Sequence, residues 1–384
     1  MTVVKRLTAI IILFTMLLSC CGCWSLVEIN NTAIVAGLGA DLQENGQMHF
    51  AIQLETASSK KEGAVKIKNL VLTSDGRTIT EAARNITLYL PRIPLWPHAS
   101  TLVIGENLAR NDMALIADFL MRNRNVRMDS DMLIAHNLPL EELFSVNDPL
   151  TGCSLRCMEQ LLRFQETSLG IYVPVSIAEF FFKLATPGVD PVLPIVTIAA
   201  LDGGQDLKLQ GTAVFKDRRM VGFLNEKESR GYRWLNPGKK MGGLLGVEMP
   251  GGKGRVVFEV VNFKTKQTPR LQDGSLVMDI QIETAVNFYE QTGTAELVGI
   301  EQRSNLESVA ARQIKQEIQA CIDKSQSLNS DILGWGRTLY RHYPAEWEKL
   351  QYHWSELYPQ TRANIKVNCL VDRTYIGTRS FEFK

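Results

Sequence analysis

One short apolar run, Leu7–Leu18, follows Lys5 and Arg6 and closes on Ser19-Cys20-Cys21-Gly22-Cys23-Trp24. It falls short of the roughly 20 apolar residues a spanning helix needs and has the length of a signal-peptide core. A small residue directly before a cysteine, behind such a core, is the pattern of a bacterial lipoprotein box. There the thiol takes a diacylglycerol, the leader is cut off, and the acyl chains hold the new N-terminus to the outer leaflet. Cys20 satisfies the local rule, with Leu17 three positions earlier and Ser19 just before it. Cys23 follows Gly22 but has Cys20 where leucine is preferred, and Cys21 follows a cysteine. Lipid attachment is therefore expected at Cys20 or Cys23, the alternative being an ordinary secretory signal. No later stretch is long and apolar enough to span a bilayer; Ile195–Leu201 is far too short. The rest of the chain must bury its apolar residues within itself.

The balance of charge narrows the partners. The sequence holds 42 basic and 41 acidic residues, and cleavage before Cys20 would remove Lys5 and Arg6. A near-neutral mature chain argues against nucleic acid, which calls for a strong basic patch. It argues equally against purely electrostatic membrane binding, so attachment to the bilayer is expected to rest on the acyl anchor. Beyond the leader, Cys153, Cys157, Cys321 and Cys369 lie too far apart for a disulfide framework and read as buried small residues.

Periodicity predicts mixed α and β structure. Ala33–Asp41 and Met48–Glu55 read as a hairpin turning at Asn45-Gly46, the second strand placing Met48, Phe50, Ile52 and Leu54 on one face. Ser58–Lys68 reads as a loop or edge strand. Thr78/Glu81 and Ser176/Glu179 are capping boxes that open helices. Strands are predicted at Thr101–Gly105, Asp131–His136 and Val192–Ala200, the last pairing with the first hairpin. Helices are expected after Asp112, at Glu141–Phe144 and at Leu155–Gln165. Asp202–Asp206 reads as a domain boundary. Beyond it come a hairpin around Lys216-Asp217-Arg218, a helix Glu226–Trp234 and a glycine-rich loop, Lys239–Gly254. The long strands Arg255–Lys266 and Ser275–Tyr289 follow. Ser304 and Glu307 are read as the cap of a long helix with the stripe Leu306, Ala310, Ile314, Ile318 and Cys321. Two more helices and a strand, Thr361–Asp372, complete the chain.

Catalytic motifs are missing. The five histidines include no pair at zinc-ligand spacing, and there is no G-x-S-x-G elbow. Gly251-Gly252-Lys253-Gly254 has Val247 where a phosphate loop needs its first glycine. The chain is read as non-enzymatic, with no catalytic residue, metal ligand or cofactor. Its tryptophans and tyrosines cluster towards the C-terminus at helical spacing, which reads mainly as core.

Short segments in fixed order carry a resemblance. Gly22-Cys23-Trp24 is followed by Glu28 to Asp41, Thr80–Asn85, Leu102–Glu106 and Asp190-Pro191-Val192-Leu193-Pro194. Then come Gly211–Asp217, Val221–Glu226 with Arg230-Gly231, Asp331-Ile332-Leu333-Gly334-Trp335-Gly336, and Tyr343-Pro344-Ala345-Glu346-Trp347. Over nearly the whole length the chain resembles the Ger(x)C lipoproteins, the spore germination receptor C-subunits. The family pattern places the lipid cysteine directly before the tryptophan and so favours Cys23; it usually has an acidic residue after that tryptophan, where this chain has Ser25.

The resemblance implies a three-domain α+β (mixed α/β) lipoprotein on the outer face of the inner spore membrane, each domain a small sheet packed with helices. The expected division is a leader at 1–22, a discontinuous N-terminal domain at 24–73 plus 170–202, a middle domain at 74–169 and a C-terminal domain at 206–384. It also implies two integral membrane receptor subunits as partners. The reading from another class is a solute-binding lipoprotein serving a transporter. A partner interface is expected at Asn225, Glu226 and Arg230, a polar helix start that core packing does not require; the plain alternative is that Arg230 pairs with Glu226 one turn earlier.

Overall fold

The computed structural model describes residues 2–19, 28, 31–59, 65–147, 150–201, 204–252, 254–272, 275–292 and 300–373. Thr2–Ser19 form helix α1. Among the described residues no helix is long and apolar enough to cross a membrane. Cys20 and Cys23 lie outside the described residues.

The first sheet draws on most of the N-terminal sequence. It contains β1 (Thr32–Leu42), β2 (Met48–Ser59), β3 (Val65–Gly76), β4 (Ile93–Leu95), β5 (Thr101–Gly105), β6 (Asp131–Ala135), β7 (Val192–Leu201), β8 (Gly204–Lys216) and β9 (Arg219–Leu224). The order is β3-β2-β1-β5-β6-β7-β8-β9, with β4 beside the start of β1. Strands β1, β5, β6 and β7 run parallel, and antiparallel hairpins flank them.

Helices α2 (Ile79–Asn85), α3 (Glu106–Asn111), α4 (Ala114–Arg122) and α7 (Ile177–Leu184) cover one face. Helices α5 (Leu140–Ser145) and α6 (Ser154–Ser168) cover the other. This double cover buries the face of β2 opposite Phe50 and Ile52, which alternation alone reads as polar and outward. Gln53 there is fully buried, donating to the Phe144 carbonyl (2.8 Å) and accepting from Leu155 N (3.0 Å).

The sheet corrects two expectations. Val192–Leu201 shares the sheet of the first hairpin but does not pair with it, because β5 and β6 stand between. Strands of the expected N-terminal and middle domains therefore form one hydrogen-bonded surface. Of the boundary expected at Asp202–Asp206, Asp202 and Gly203 lie outside the described residues, and Gly204–Asp206 belong to the β7–β8 ladder, with Leu201 opposite Gly204. The chain leaves this sheet only after Leu224.

The second sheet has the order β10 (Leu244–Glu248), β11 (Arg255–Gln272), β12 (Ser275–Gln291), β13 (Arg362–Val371). Helix α8 (Glu226–Leu235) links the sheets, and α9 (Ile300–Ser327) lies on the second one. Helices α10 (Trp335–His342), α11 (Pro344–Leu350) and α12 (Trp354–Leu357) follow. The apolar stripe of α9 from Leu306 to Cys321 is buried. Ser304 and Glu307 do not cap it, because the helix begins at Ile300 and both residues lie inside its first turns. A single buried apolar cluster runs from the α2/α4 face of the first sheet through α8 into the second sheet and α9. The fold is mixed α/β, built on two sheets.

Candidate functional site

Segments that carry the resemblance, distant in sequence, meet where the two sheets adjoin. Asp190 precedes β7 and Asp331 follows α9. Their backbones and side chains interlock: Asp190 N donates to the Asp331 carbonyl (2.9 Å), and Asp331 N donates to Asp190 Oδ2 (2.8 Å). Asp190 Oδ1 also accepts from Asp217 N (3.2 Å), in the β8–β9 turn, and Lys216 Nζ stands 3.5 Å from Oδ2. Ser330 Oγ donates to the Phe215 carbonyl (2.5 Å). The Asp190–Asp331 and Ser330–Phe215 contacts cross from the first sheet to the segment after α9, while Lys216 and Asp217 hold Asp190 from within the first sheet.

Asp331 is 1% exposed and organises the next layer. Its carboxylate accepts from Trp335 N (2.9 Å), Gly336 N (2.8 Å) and Trp354 Nε1 (3.0 Å). Burial, reinforced by nearby Asp190 and opposed by these donors, pushes its carboxyl up to about 7. Gly188 closes the other side, its carbonyl accepting from Arg337 N (2.9 Å). A Cβ on Gly336 would stand 2.7 Å from both Gly188 Cα and Trp347 Cη2, so only glycine permits this approach. Behind it Trp347 meets Trp354 edge to face (centroids 5.4 Å apart), and Trp354 meets Tyr358 in a tilted pair (6.0 Å). A groove of about 440 Å³ opens beside Asp190, Lys216, Trp347 and Tyr352. Backbone N–H groups, the Trp354 indole and Lys216 hold these two carboxyls in place, an arrangement that suits a joint.

The residues expected to form an interface turn out to serve two purposes. Asn225 caps α8, its Oδ1 accepting from Glu228 N (3.0 Å) while Glu228 Oε2 accepts from Asn225 N (2.8 Å). Asn225 and Glu226 are exposed. Arg230 turns inward, with its side chain 15% exposed. It meets Glu226 (3.3 Å) as the plain reading expects, but it also donates to the Leu244 carbonyl and faces the buried Glu317 (3.8 Å). The inward turn of Arg230 has a simple cause: α8 is amphipathic, and everything from Ser229 to Leu235 except Arg230 is fully buried.

The same helix binds both units. Trp234 Nε1 donates to Glu317 Oε2 (2.9 Å), and Lys183 Nζ of α7 donates to the Tyr232 hydroxyl (3.0 Å). Arg233, 2% exposed, donates to the carbonyls of Glu166 (2.7 Å) and Lys240 (2.9 Å). Gly231 lies against the Glu317 carbonyl of α9, where a Cβ would approach to 2.0 Å.

A second polar cluster gathers at the C-terminal ends of β1, β5 and β6. His49 lies between Glu141 (2.7 Å) and Asp75 (2.6 Å), and these carboxylates, Glu141 foremost, raise it to about 9. His136 Nδ1 meets Glu106 (2.7 Å) at the start of α3. Alternation could place His49 on the polar face of β2 but could not show which carboxylates close over it. Cys153, Cys157, Cys321 and Cys369 are buried thiols outside any disulfide. Among the described residues no group of three His, Cys, Asp or Glu side chains is placed to hold a metal.

Residues 25–198 match the family described as the spore germination protein N-terminal domain, and residues 210–375 match spore germination B3/GerAC like, C-terminal. Spore germination protein KC of Bacillus subtilis (strain 168) is 24% identical over 381 residues, 92% of each chain. Spore germination protein B3 of the same organism is 23% identical over 359 residues, 91% of this chain and 93% of the other. The crystal structure of the GerBC protein superposes with a TM-score of 0.58 at 18% identity, covering 87% of this chain and 96% of that one.

Proposed function

Because the chain belongs to the Ger(x)C family of spore germination proteins, we propose that it is the lipid-anchored, non-enzymatic subunit of a nutrient germinant receptor. It assembles with integral membrane subunits at the inner spore membrane and acts through that assembly. The observation that supports this reading most is end-to-end similarity: two family regions in order across 25–198 and 210–375. The geometry agrees with it. The buried carboxylates at the joint are spent on backbone donors, which favours a body that holds a shape over one that turns over a substrate.

The test is recovery of the complex. A tag on this protein, in membranes from spores, should retain the integral membrane subunits and lose them when Cys20 and Cys23 are both changed to Ala. Loss of the tagged protein from membranes in that variant, with slowed nutrient-triggered germination, is the expected result. Recovery of a transporter in place of receptor subunits, with a thermal shift of the purified protein by an amino acid or sugar, would instead establish the solute-binding alternative.

A further inference from the structure

The end of the first sheet where β1 begins carries apolar and basic groups together. Leu88, Tyr89 and Ile93 are 76%, 68% and 53% exposed, unusual for large apolar side chains close together in sequence. Their sequence neighbours Thr87 and Pro94 line a groove of about 640 Å³, together with Arg84, Trp96 and the turn after α4, including Arg124. Arg84, Arg92 and Arg124 are exposed, and none of them is in an ion pair among the described residues. Of the carboxylates nearby, Asp118 pairs with Arg122 (3.1 Å), Asp129 pairs with Arg127 (2.6 Å), and Glu81 accepts from Arg77 N (2.9 Å). A protein neutral overall thus presents a locally basic rim around exposed leucine, tyrosine and isoleucine, with Trp96 half-buried beneath. Aromatic and aliphatic side chains flanked by arginine suit the boundary between headgroups and acyl chains.

Connectivity names the occupant. Strand β4 pairs with the first residues of β1, Thr32 opposite Ile93. Chain arriving from the leader therefore enters the fold beside Ile93. Cys23 stands nine positions before Thr32, a span of at most about 30 Å. We infer that Leu88, Tyr89 and Ile93, with Arg84, Arg92 and Arg124, form a surface that rests on an anionic bilayer and fixes how the anchored protein stands on it. This rests on the anchoring proposed above. The acyl chain supplies attachment, and the patch supplies orientation.

The experiment uses the full-length protein purified with its acyl chain and placed in nanodiscs, either phosphatidylcholine alone or an equal mixture with phosphatidylglycerol. Amide hydrogen exchange across residues 86–93 should slow on the order of tenfold in the anionic discs relative to the neutral ones, since each basic group near an anionic surface adds to binding. Changing Arg84, Arg92 and Arg124 together to Glu should abolish that difference. Leu88→Glu with Tyr89→Glu, at positions too exposed to disturb folding, should do the same. Equal exchange in the two discs, or a difference that survives both variants, would overturn the inference. So would protection of this segment only after the integral receptor subunits are added, which would make the patch a protein contact. Intact mass reports the acyl chain separately, so a failed anchor cannot be mistaken for a failed patch.

Discussion

Arg230 sits at a position where a charged residue looks external in sequence and is internal in the fold. Its Glu226 partner is 64% exposed, and such a pair contributes only about 0.3–0.5 kcal/mol. Glu317 differs: it is buried, its carboxyl raised by burial with Arg230 foremost among the groups opposing that rise. Arg230→Ala should therefore cost about 3 kcal/mol in urea unfolding, by stranding a buried carboxylate, while Glu226→Ala costs less than about 0.5. Equal and small losses for both would return Arg230 to the surface. Asp331 makes a second prediction, through pH. Its folded carboxyl titrates near 7 against an unfolded value near 3.8. The folded state thus holds a proton that the unfolded chain has released, and its contribution to stability falls as pH rises from about 4 to about 7, by at most about 1.4 kcal/mol per unit. Unfolding of wild type and Asp331→Asn at pH 5 and pH 8 should show a larger fall with pH in wild type, the variant keeping only the part that His49 and the other shifted groups contribute. Neither residue's role was legible in sequence. Spacing gives Arg230 its i,i+4 neighbour, but Glu317 and Asp190 come from 87 and 141 positions away.

At the scale of elements, what could be read was what is local. A capping box needs two residues three apart, so the starts of α2 and α7 were legible: Thr78 Oγ1 accepts from Glu81 N, and the Ser176/Glu179 box is complete. Helix α3 escaped because Gly105 offers no side-chain cap, and β10 because it lies among glycines; β3 was read only in part, as a loop or edge strand ending at Lys68, where it runs on to Gly76. The close approach of α8 to α9 was equally hidden, though its mark is in the sequence as Gly231. Alanine there would gain about 1 kcal/mol of helix propensity but would drive a methyl group into the Glu317 carbonyl and towards Cys321 Cβ. Gly231→Ala should destabilise by about 2 kcal/mol net, read as a shift in the urea midpoint, whereas Lys227→Ala on the exposed side of α8 should stay within about 0.5. A neutral Gly231→Ala would mean that the helices part without loss.

Sheet order is decided by the whole molecule, and that is where sequence reading went astray. The resemblance implied a small sheet in each of three domains; the fold instead inserts β5 and β6 between β1 and β7, so that strands from 24–73, 74–169 and 170–202 share one sheet. The two resulting sheets share one apolar cluster and a polar joint at Asp190 and Asp331, so they should unfold together. Four of the six tryptophans, Trp234, Trp335, Trp347 and Trp354, lie in α8 and the helices beyond α9, whereas far-ultraviolet dichroism reports helices in both parts. In wild type the two signals should trace one urea transition. Asp190→Ala removes the acceptor of Asp331 N and Asp217 N and leaves Lys216 without its carboxylate, while disturbing neither sheet's own ladder. It should lower the midpoint by the equivalent of about 2–4 kcal/mol and pull the tryptophan transition below the dichroism transition. If the proposed receptor subunit works as one rigid piece, this variant should also slow nutrient-triggered germination at unchanged protein level. Coincident transitions in Asp190→Ala would show that the apolar cluster alone couples the sheets, and the joint would then be ornament to a continuous core.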